Sequence, residues 1–280
     1  MVPNESSDRA SAPGMFTSSA KIESDLGKKI LKSTKKPGLI ASRIGLIGDV
    51  HAEEGRLAAA LDWLHAKGAE VLLCTGDVAD GPGSVDTCCE LLRESGAITV
   101  RGNHDRWLLQ DRVRDIPQAH RRSEIGSKAN DYLESLSNTQ SIETPRGALL
   151  LCHGVGDNDL RKVWPGTARM GVERSAELDE ILAARKYRFV VNGHMHYRVL
   201  IDFPETLLIN AGTLSARNRP GISLIDFEAG AISAHEFDGD RVGGRVAEHP
   251  ILAESRRVWP DTKAFDGSWT AVALYGADPG

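Results

Sequence analysis

Three short apolar runs alternate with two amphipathic stretches between residues 44 and 100. The runs are Ile44–Ile47, Val71–Cys74 and Ala97–Val100. The stretches between them place apolar residues at the spacing of one helix face, namely Leu57, Leu61 and Leu64, then Val85, Cys88, Cys89 and Leu92. Parallel strands need a crossover connection, usually a helix, so this β-α-β-α-β order predicts a parallel sheet.

The remainder of the chain has a different pattern. The polar segment Asp105–Ser137 is predicted to be helical. Two strands follow at Gln140–Thr144 and Ala148–Cys152, joined by a turn that contains Pro and Gly. After a further helix and the strand Phe189–Val191, short strands with turns are predicted to continue to Phe237. A strand-rich half therefore follows the βαβ half.

Charge and composition exclude several classes of protein. The chain has 34 basic and 39 acidic residues and a net charge of −5, so it lacks the overall basic field that captures nucleic acid non-specifically. No apolar stretch approaches the roughly 18 to 20 residues of a membrane-spanning helix, and the N-terminus lacks the apolar part of a signal peptide. We therefore expect a cytoplasmic protein with no membrane partner. Its four cysteines form no CxxC pair and are expected to be reduced, buried thiols.

Five of the predicted strands end in residues that can bind a metal ion. The segments are Gly48-Asp49-Val50-His51, Gly76-Asp77-Val78-Ala79-Asp80, Gly102-Asn103-His104-Asp105, Cys152-His153-Gly154 and Gly193-His194-Met195-His196. Ligands of an open α/β sheet bind beyond the carboxyl ends of its strands, so we expect the five segments to converge. On a regular strand His194 and His196 would point to one face, which favours joint metal binding.

The donor atoms of these segments are oxygen and nitrogen, with no thiolate. The residues that supply them are Asp49, Asp77, Asp80, His51, His153, His194, His196 and Asn103. Such a set suits divalent transition metals and disfavours a structural zinc site, which normally uses Cys. We expect Mn²⁺ first, with Fe, Zn²⁺, Ni²⁺ and Co²⁺ as alternatives. Two ions about 3.5 to 4 Å apart need one carboxylate between them, and the donors suffice for two such sites.

In this order, the motifs GDVH, GDVAD, GNHD, CHG and GHMH resemble those of the calcineurin-like metallophosphoesterase superfamily, from about Ile44 to Phe237. The segments Ile209–Thr213 and Arg219–Gly221 are similar to elements of its small single-domain bacterial and archaeal phosphodiesterase branch. The resemblance implies a four-layer α/β/β/α sandwich of two mixed β-sheets flanked by helices. It also implies a site for two metal ions.

By that resemblance, the two ions would share Asp77. The first ion would be held by Asp49, His51 and His196, and the second by Asn103, His153 and His194. His104 would be the general acid that protonates the leaving oxygen, oriented by Asp80. Several relatives in the phosphodiesterase branch have Cys where this chain has His104, so a proton donor is better supplied here.

The arginines of the sequence are candidates for binding substrate phosphate. Relatives that act on phosphoproteins usually carry GDxxDRG, and the phosphate-binding Arg of that motif is missing here. Arg106 and Arg161 are the substrate-binding candidates, and the alternative is that each is a solvated surface cation. A further run of arginines is interrupted by acidic residues and is interpreted as a solvated helix face rather than a nucleic-acid patch. Its members are Arg112, Arg114, Arg121 and Arg122.

These features predict a metal-dependent phosphoric ester hydrolase, a phosphatase or phosphodiesterase of a small or nucleotide-like substrate. The ions would lower the pKa of a bridging water, and the hydroxide would attack phosphorus in line. A nuclease acting on DNA or RNA is the alternative enzyme, and a non-catalytic adaptor with the same fold is the alternative from another class. The mildly acidic chain and the lack of a continuous basic stripe favour the small substrate.

Three regions are expected along the chain. Residues 1–40 are rich in Ser, Lys, Gly and Pro and are expected to form a disordered tail, because they offer few apolar residues to offset the entropy of ordering. Residues 41–240 would form the metallophosphoesterase catalytic domain, and residues 241–280 a C-terminal extension. The natural substrate, the preference between monoester and diester, and the oligomeric state stay open.

Overall fold

The strands and helices of the first half form where the apolar pattern predicts them. The computed structural model describes residues 40–276, so the tail expected for residues 1–40 lies, apart from Ile40, outside the described residues. The elements are β1 (Arg43–Ile47), α1 (Glu54–Ala66), β2 (Val71–Cys74), α2 (Val85–Ser95) and β3 (Ile98–Thr99). Strand β2 pairs in parallel with both β1 and β3, which confirms the predicted parallel unit.

The prediction of one helical segment over residues 105–137 is wrong in its middle. Helix α3 (Asn103–Leu109) ends in a loop at residues 110–121, which is followed by a short 3-10 turn and by helix α4 (Ser127–Ser135). Pro117 has no N–H to donate and disfavours a helical conformation in the residue before it, so the segment cannot continue as a helix. Arg112 and Arg114 therefore lie on an exposed loop and not on a helix face.

Within the described residues, the second half contains one α-helix, two short 3-10 helices (Ala216–Asn218 and Thr262–Ala264) and nine strands. The α-helix and the strands are β4 (Thr139–Thr144), β5 (Gly147–Cys152), α5 (Ala176–Ala184), β6 (Phe189–Asn192), β7 (Arg198–Asp202), β8 (Leu207–Ala211), β9 (Gly221–Asp226), β10 (Ala231–Asp238), β11 (Arg241–Pro250) and β12 (Val272–Ala273). Strand β11 pairs with β10, and β12 pairs with β7. The described part of the expected C-terminal extension thus contributes a strand to each sheet.

The strands form two six-stranded mixed sheets. Their orders are β11-β10-β9-β1-β2-β3 and β12-β7-β8-β6-β5-β4. In the first sheet β1, β2 and β3 are parallel, and β1 pairs antiparallel with β9. In the second sheet β5, β6 and β8 are parallel neighbours. The expected pair of mixed sheets is confirmed.

Three groups of buried side chains separate the layers. Ile44 and Leu73 of the first sheet pack with Leu151 and Val191 of the second, so the two sheets lie face to face. The outer face of the first sheet is covered by α1, α2 and α4, whose buried residues include Leu57, Leu64, Cys88, Cys89 and Leu133. The outer face of the second sheet is covered by α5 and by Trp259, Phe265 and Trp269 of the C-terminal region. The expected α/β/β/α arrangement is confirmed.

Two smaller features of the described region bear on the sequence expectations. All four cysteines are free and buried. No helix within residues 40–276 combines the length and the apolar character needed to cross a membrane.

Candidate metal centre

The five polar motifs follow strands of both sheets and converge at one end of the sandwich. Three follow β1, β2 and β3 of the first sheet, and two follow β5 and β6 of the second. Their side chains form groups of three whose donor atoms lie within 4.8 Å of one another, namely Asp49, His51 and His196; His51, Asp77 and His104; and Asp77, His153 and His194. The structure therefore brings together the candidate metal ligands that the sequence places far apart.

Several of these residues have a left-handed backbone conformation. The φ angles are 49° at His51, 46° at Asp77, 63° at Asp80, 65° at His194 and 60° at His196. Such a φ in a non-glycine residue costs about 1 to 3 kcal/mol and persists where the surrounding structure enforces it, often at functional sites. The strand-to-loop turns direct these side chains toward one another, and the backbone strain is the energetic cost of that arrangement.

The prediction that His194 and His196 share the face of a regular strand is wrong. Strand β6 ends at Asn192, and both histidines lie on the turn that follows. Because the turn changes the direction of the backbone, the two rings point to different partners. His196 joins Asp49 and His51, whereas His194 joins Asp77 and its neighbours.

In the first donor group, two imidazoles and one carboxylate meet. The Nε2 atoms of His51 and His196 are 3.0 Å apart, and His196 Nε2 is 3.2 Å from Asp49 Oδ2. His51 Nδ1 donates to the carbonyl oxygen of Asp80 at 3.0 Å, so its Nε2 carries the lone pair that faces the group. Burial lowers the pKa of His51, which favours the neutral ring that can bind a metal ion.

The second donor group contains His153, His194, Asn103 and Asp77. His153 Nδ1 donates to the carbonyl oxygen of Thr75 at 2.8 Å, and its Nε2 lies 3.3 Å from Asp77 Oδ2. Burial opposes a charge on His153, yet the carboxylates around it raise its pKa to about 10. Burial and the neighbouring His153 lower the pKa of His194 to about 4. The carboxylates therefore favour a positive charge at His153 beside Asp77, whereas His194 is neutral.

The carboxamide of Asn103 tests whether these donors fit a cation. Its Oδ1 lies 3.0 Å from His153 Nε2, an atom that donates to it when the ring is protonated and presents a second lone pair when the ring is neutral. In the opposite orientation its NH₂ group would donate to His153 Nε2 and to His194 Nδ1, at 3.0 and 2.9 Å. The orientation with the oxygen inward directs lone pairs of three residues at one region, an arrangement that a metal ion satisfies. The residues present therefore fit a bound cation.

Hydrogen bonds from neighbouring residues fix the carboxylates of the site. Thr75 Oγ1 and the backbone N–H of His194 donate to the two oxygens of Asp49, each at 2.8 Å. The backbone N–H of His104 donates to Asp77 Oδ1 at 2.8 Å. A Cβ on Gly193 would lie only 2.1 Å from Asp49 Oδ1, which explains the glycine of the GHMH motif.

Asp105, which the sequence analysis left without a role, holds two of the motif loops together. Its buried carboxylate accepts the backbone N–H groups of Val78, Ala79 and Gly102 at 2.8, 3.1 and 3.0 Å. Burial and the nearby charge of Asp77 raise the pKa of Asp105 to about 6. The loops after β2 and β3 are therefore fastened by one side chain. Its position in the GNHD motif drew attention to Asp105, but only the folded loops show that it accepts three backbone hydrogen bonds.

His104 and Asp80 form a hydrogen-bonded pair beside the donor groups. His104 Nδ1 donates to Asp80 Oδ2 at 2.7 Å, and His104 Nε2 lies 3.8 Å from Asp77 Oδ2. Burial opposes a charged ring, but the bond to Asp80 and the negative charges of Asp77 and Asp80 together outweigh it and raise the pKa of His104 above its usual value. The backbone N–H of His120 donates to Asp80 Oδ1 at 2.9 Å. His120 could not be found from the sequence, because nothing in its spacing connects it with the site.

Both arginines expected to bind substrate are paired with carboxylates. Arg106 makes two hydrogen bonds to Asp159, at 2.6 and 2.9 Å. Arg161 donates to Glu177 Oε1 from two nitrogens, at 3.1 and 2.9 Å. These carboxylates neutralise the two guanidinium groups. Their role in substrate binding stays a prediction.

Comparisons with known proteins identify the family of this chain. Residues 43–230 match the family model of the calcineurin-like phosphoesterase superfamily domain. An uncharacterised protein of Methanocaldococcus jannaschii is 31% identical over 71 residues, a match that covers 25% of this chain and only 29% of that relative.

Two solved structures have a similar fold. A metallophosphoesterase from Sphaerobacter thermophilus is 22% identical with a TM-score of 0.51, over 71% of this chain and 89% of that chain. A hypothetical protein from Pyrococcus horikoshii OT3 is 13% identical with a TM-score of 0.57, over 71% of this chain and 88% of that chain. Since the family match includes strands of both sheets and all five motifs, this chain belongs to the calcineurin-like phosphoesterase superfamily, a family of metal-dependent phosphoric ester hydrolases.

Proposed function

We propose that this protein is a phosphatase or phosphodiesterase that uses two divalent transition-metal ions, with Mn²⁺ as the first expectation, to hydrolyse a small or nucleotide-like substrate. One observation carries the proposal: Asp77 belongs to two donor groups, one with His51 and His104 and one with His153 and His194. A carboxylate shared between two sets of oxygen and nitrogen donors is what a pair of closely spaced ions requires.

The remaining donors divide between the two ions by their contacts with Asp77 and Asp49. The first ion would be held by Asp49, His51 and His196, and the second by Asn103, His153 and His194. When bound, two such cations lower the pKa of water and neutralise charge on the phosphoryl oxygens. The chain itself keeps the donors in place through the hydrogen bonds to Asp49 and Asp77.

His104 is proposed as the proton donor for the leaving oxygen. Its Nδ1 is occupied by Asp80, so its Nε2 is the nitrogen that can give a proton to substrate. A carboxylate bonded to one ring nitrogen stabilises the imidazolium and fixes its orientation. Asp80 would therefore position and charge-stabilise His104.

Contacts between loops at the edge of the site favour a small substrate over a nucleic acid. Gln118, on the loop that reaches Asp80, accepts a hydrogen bond from Arg217 Nη2 at 3.0 Å. The neighbour of Arg217, Asn218, has its Oδ1 3.5 Å from His196 Nδ1. This bridge joins the loops on two sides of the first donor group, whereas a polymer substrate is better served by an open groove. The net charge of −5 points the same way.

A metal-reconstituted activity panel tests the proposal. Protein stripped with a chelator is reloaded with Mn²⁺ and assayed on p-nitrophenyl phosphate, bis-p-nitrophenyl phosphate, a cyclic nucleotide and single-stranded DNA. We expect metal-dependent turnover of small substrates, little cleavage of DNA, and loss of turnover in Asp77→Ala. Cleavage of DNA alone would favour the nuclease. Absence of turnover on every substrate in protein with bound metal would favour a non-catalytic adaptor.

A further inference from the structure

Arg114 contacts the site at a position that the proposed function does not use. Its Nη1 lies 3.2 Å from His104 Nε2, the ring nitrogen that Asp80 leaves free. Its guanidinium carbon is 5.3 Å from the centroid of the Trp107 ring, which is itself 5.2 Å from the His104 ring. Arg114 thus lies beside the nitrogen through which His104 would meet the leaving oxygen. Because a guanidinium can only donate, Arg114 leaves this contact when Nε2 carries a proton.

The charge of Arg114 is not neutralised by a protein carboxylate. Arg106 and Arg161 each pair with one, but within residues 40–276 Arg114 makes no ion pair. Its neighbours instead are an aromatic ring and an imidazole. The guanidinium directs one donor at His104 and has no carboxylate that competes for its other donors. Charge-assisted pairs with phosphate are among the strong hydrogen bonds.

The loop that carries Arg114 is anchored near both ends. At its start, the backbone N–H of Arg112 donates to the carbonyl oxygen of Trp107 at 2.8 Å. Near its end, His120 binds Asp80 through two hydrogen bonds, at 2.9 and 3.1 Å. The position of Arg114 beside His104 is therefore set by contacts on either side of it.

This position lies on the leaving-group side of the scissile bond. If His104 Nε2 reaches the leaving oxygen at a hydrogen-bond distance of about 3 Å, then Arg114 lies within roughly 6 Å of that oxygen. Its guanidinium can then reach a group attached directly beyond the oxygen. In an alkyl or aryl ester that group is an uncharged carbon, whereas in a phosphoric anhydride it is a charged phosphoryl group.

We infer that Arg114 binds a phosphoryl group on the leaving side, and that the site prefers phosphoric anhydrides, such as nucleoside diphosphates, to esters with an uncharged leaving group. The inference rests on the proposed function. In the reaction, water forms a bond to the terminal phosphorus and the bond to the bridging oxygen breaks. The leaving phosphate keeps the bonding electron pair and takes a proton from His104, while the attacking water gives up a proton. Arg114 offsets the negative charge that develops on the leaving phosphate.

A matched pair of substrates tests this inference. ADP and AMP share base and sugar, but they differ in the group that leaves when water attacks the terminal phosphorus. The leaving group of ADP is AMP, which departs through a charged phosphate, whereas that of AMP is the uncharged nucleoside. Phosphate release gives kcat/KM for both in the Mn²⁺-loaded protein. We expect wild type to prefer ADP. Because a hydrogen bond to a charged group contributes a factor of about 10 to 100, Arg114→Ala should lower the ADP-to-AMP ratio by that factor.

Two further variants separate binding from structural effects. Arg112→Ala removes a neighbouring exposed arginine of the same loop and should keep the wild-type ratio. Arg114→Lys retains the charge without the two-pronged geometry, so its ratio should fall between those of wild type and Arg114→Ala. Circular dichroism and metal content, both unchanged, would verify that the Arg114 variants fold and keep their ions.

The outcomes distinguish this inference from the proposed function. Equal losses on ADP and AMP in Arg114→Ala, or a wild type without preference for ADP, would overturn the inference while metal-dependent hydrolysis of p-nitrophenyl phosphate still stands. Failure of the wild type on all three substrates would instead overturn the proposed function, on which the inference rests.

Discussion

Asp77 is the residue on which both candidate ion positions depend. Its Oδ1 accepts the backbone N–H of His104 at 2.8 Å, and its Oδ2 lies 3.3 Å from His153 Nε2. Burial opposes its charge, but the surrounding histidines, His153 foremost, hold the pKa of this carboxyl well below its usual range. Asp77 is therefore ionised in the folded protein and suited to bind cations.

We expect Asp77→Ala to lose more than one equivalent of metal, because one carboxylate serves both ions. Mass spectrometry of the metals in dialysed protein measures the stoichiometry. Asp157→Ala, which removes an exposed carboxylate in the loop after His153, is the matched control and should keep the wild-type content. Full metal content in Asp77→Ala would refute the bridging role.

His104→Ala should reduce activity according to the basicity of the leaving group. General acid catalysis typically contributes about 10²- to 10⁴-fold, so a loss of that size is expected on an alkyl phosphate and a far smaller one on p-nitrophenyl phosphate. Steady-state kinetics with both esters measures the difference. Asp80→Asn should give the same pattern in milder form, because the amide still holds the ring but no longer stabilises its charge.

Metal content serves as the control for the His104 variant, since His104 lies in a donor group with His51 and Asp77. It should remain near that of wild type. Loss of metal would make His104 a ligand, and an equal loss of activity on both esters would point to phosphate binding instead of proton donation.

At the scale of elements, strand β12 supports the turn that carries His196. Tyr275 lies two residues after the end of this strand. Its hydroxyl accepts a hydrogen bond from the backbone N–H of Arg198 at 2.9 Å and donates one to the carbonyl oxygen of His196 at 3.2 Å. The ring also lies 4.5 Å from the guanidinium carbon of the buried Arg198. The C-terminal strand thus helps position a candidate ligand 79 residues earlier in the chain.

Tyr275→Phe should weaken metal binding while leaving the fold intact, because it removes the hydroxyl that holds the His196 turn. One hydrogen bond contributes about 1 kcal/mol, so we expect the Kd for Mn²⁺ to rise about threefold to tenfold. Isothermal titration calorimetry measures it. Tyr197→Phe removes a partly exposed hydroxyl nearby and is the control. An unchanged Kd in Tyr275→Phe would contradict the positioning role.

The elements that the sequence predicts well are those whose pattern reflects burial. Strand β1 buries a continuous run of residues, and helix α1 buries one of its faces, so the apolar pattern of each is visible in the sequence. Strand β11 was not predicted, because it is an edge strand with no fully buried residue and contains Gly243 and Gly244. Its strand conformation comes from pairing with β10, which local sequence does not encode.

The same distinction applies to the site. Asp49, Asp77 and His153 could be predicted as candidates because each lies within three residues of the end of an apolar strand. Arg114 and Tyr275 could not, since their roles depend on contacts that only the packed loops and strands create. The pairing of Arg106 with Asp159, 53 residues away, was hidden for the same reason.

At the scale of the whole molecule, the candidate centre joins the two sheets. Asp49 and Asp77 follow strands of the first sheet, whereas His153 and His194 follow strands of the second. Ions held by both sets would cross-link the sandwich at one end. Metal binding should therefore stabilise the folded state of the whole protein, since the separated donors of an unfolded chain bind weakly.

We expect Mn²⁺ to raise the melting temperature and a chelator to reverse the effect. At 100 times the Kd a ligand adds about 2.7 kcal/mol, which for a protein of this size corresponds to roughly 5 to 10 °C. Differential scanning calorimetry measures the shift. It should be much smaller in Asp77→Ala. Equal melting temperatures with and without Mn²⁺ would exclude a stabilising centre.

The most direct test of the account is anomalous X-ray diffraction from crystals loaded with Mn²⁺. The shared carboxylate requires two anomalous peaks about 3.5 to 4 Å apart, one on each side of Asp77. One peak should be surrounded by Asp49, His51 and His196, and the other by Asn103, His153 and His194. A single peak, or peaks away from Asp77, would contradict the two-ion centre on which the proposed function rests.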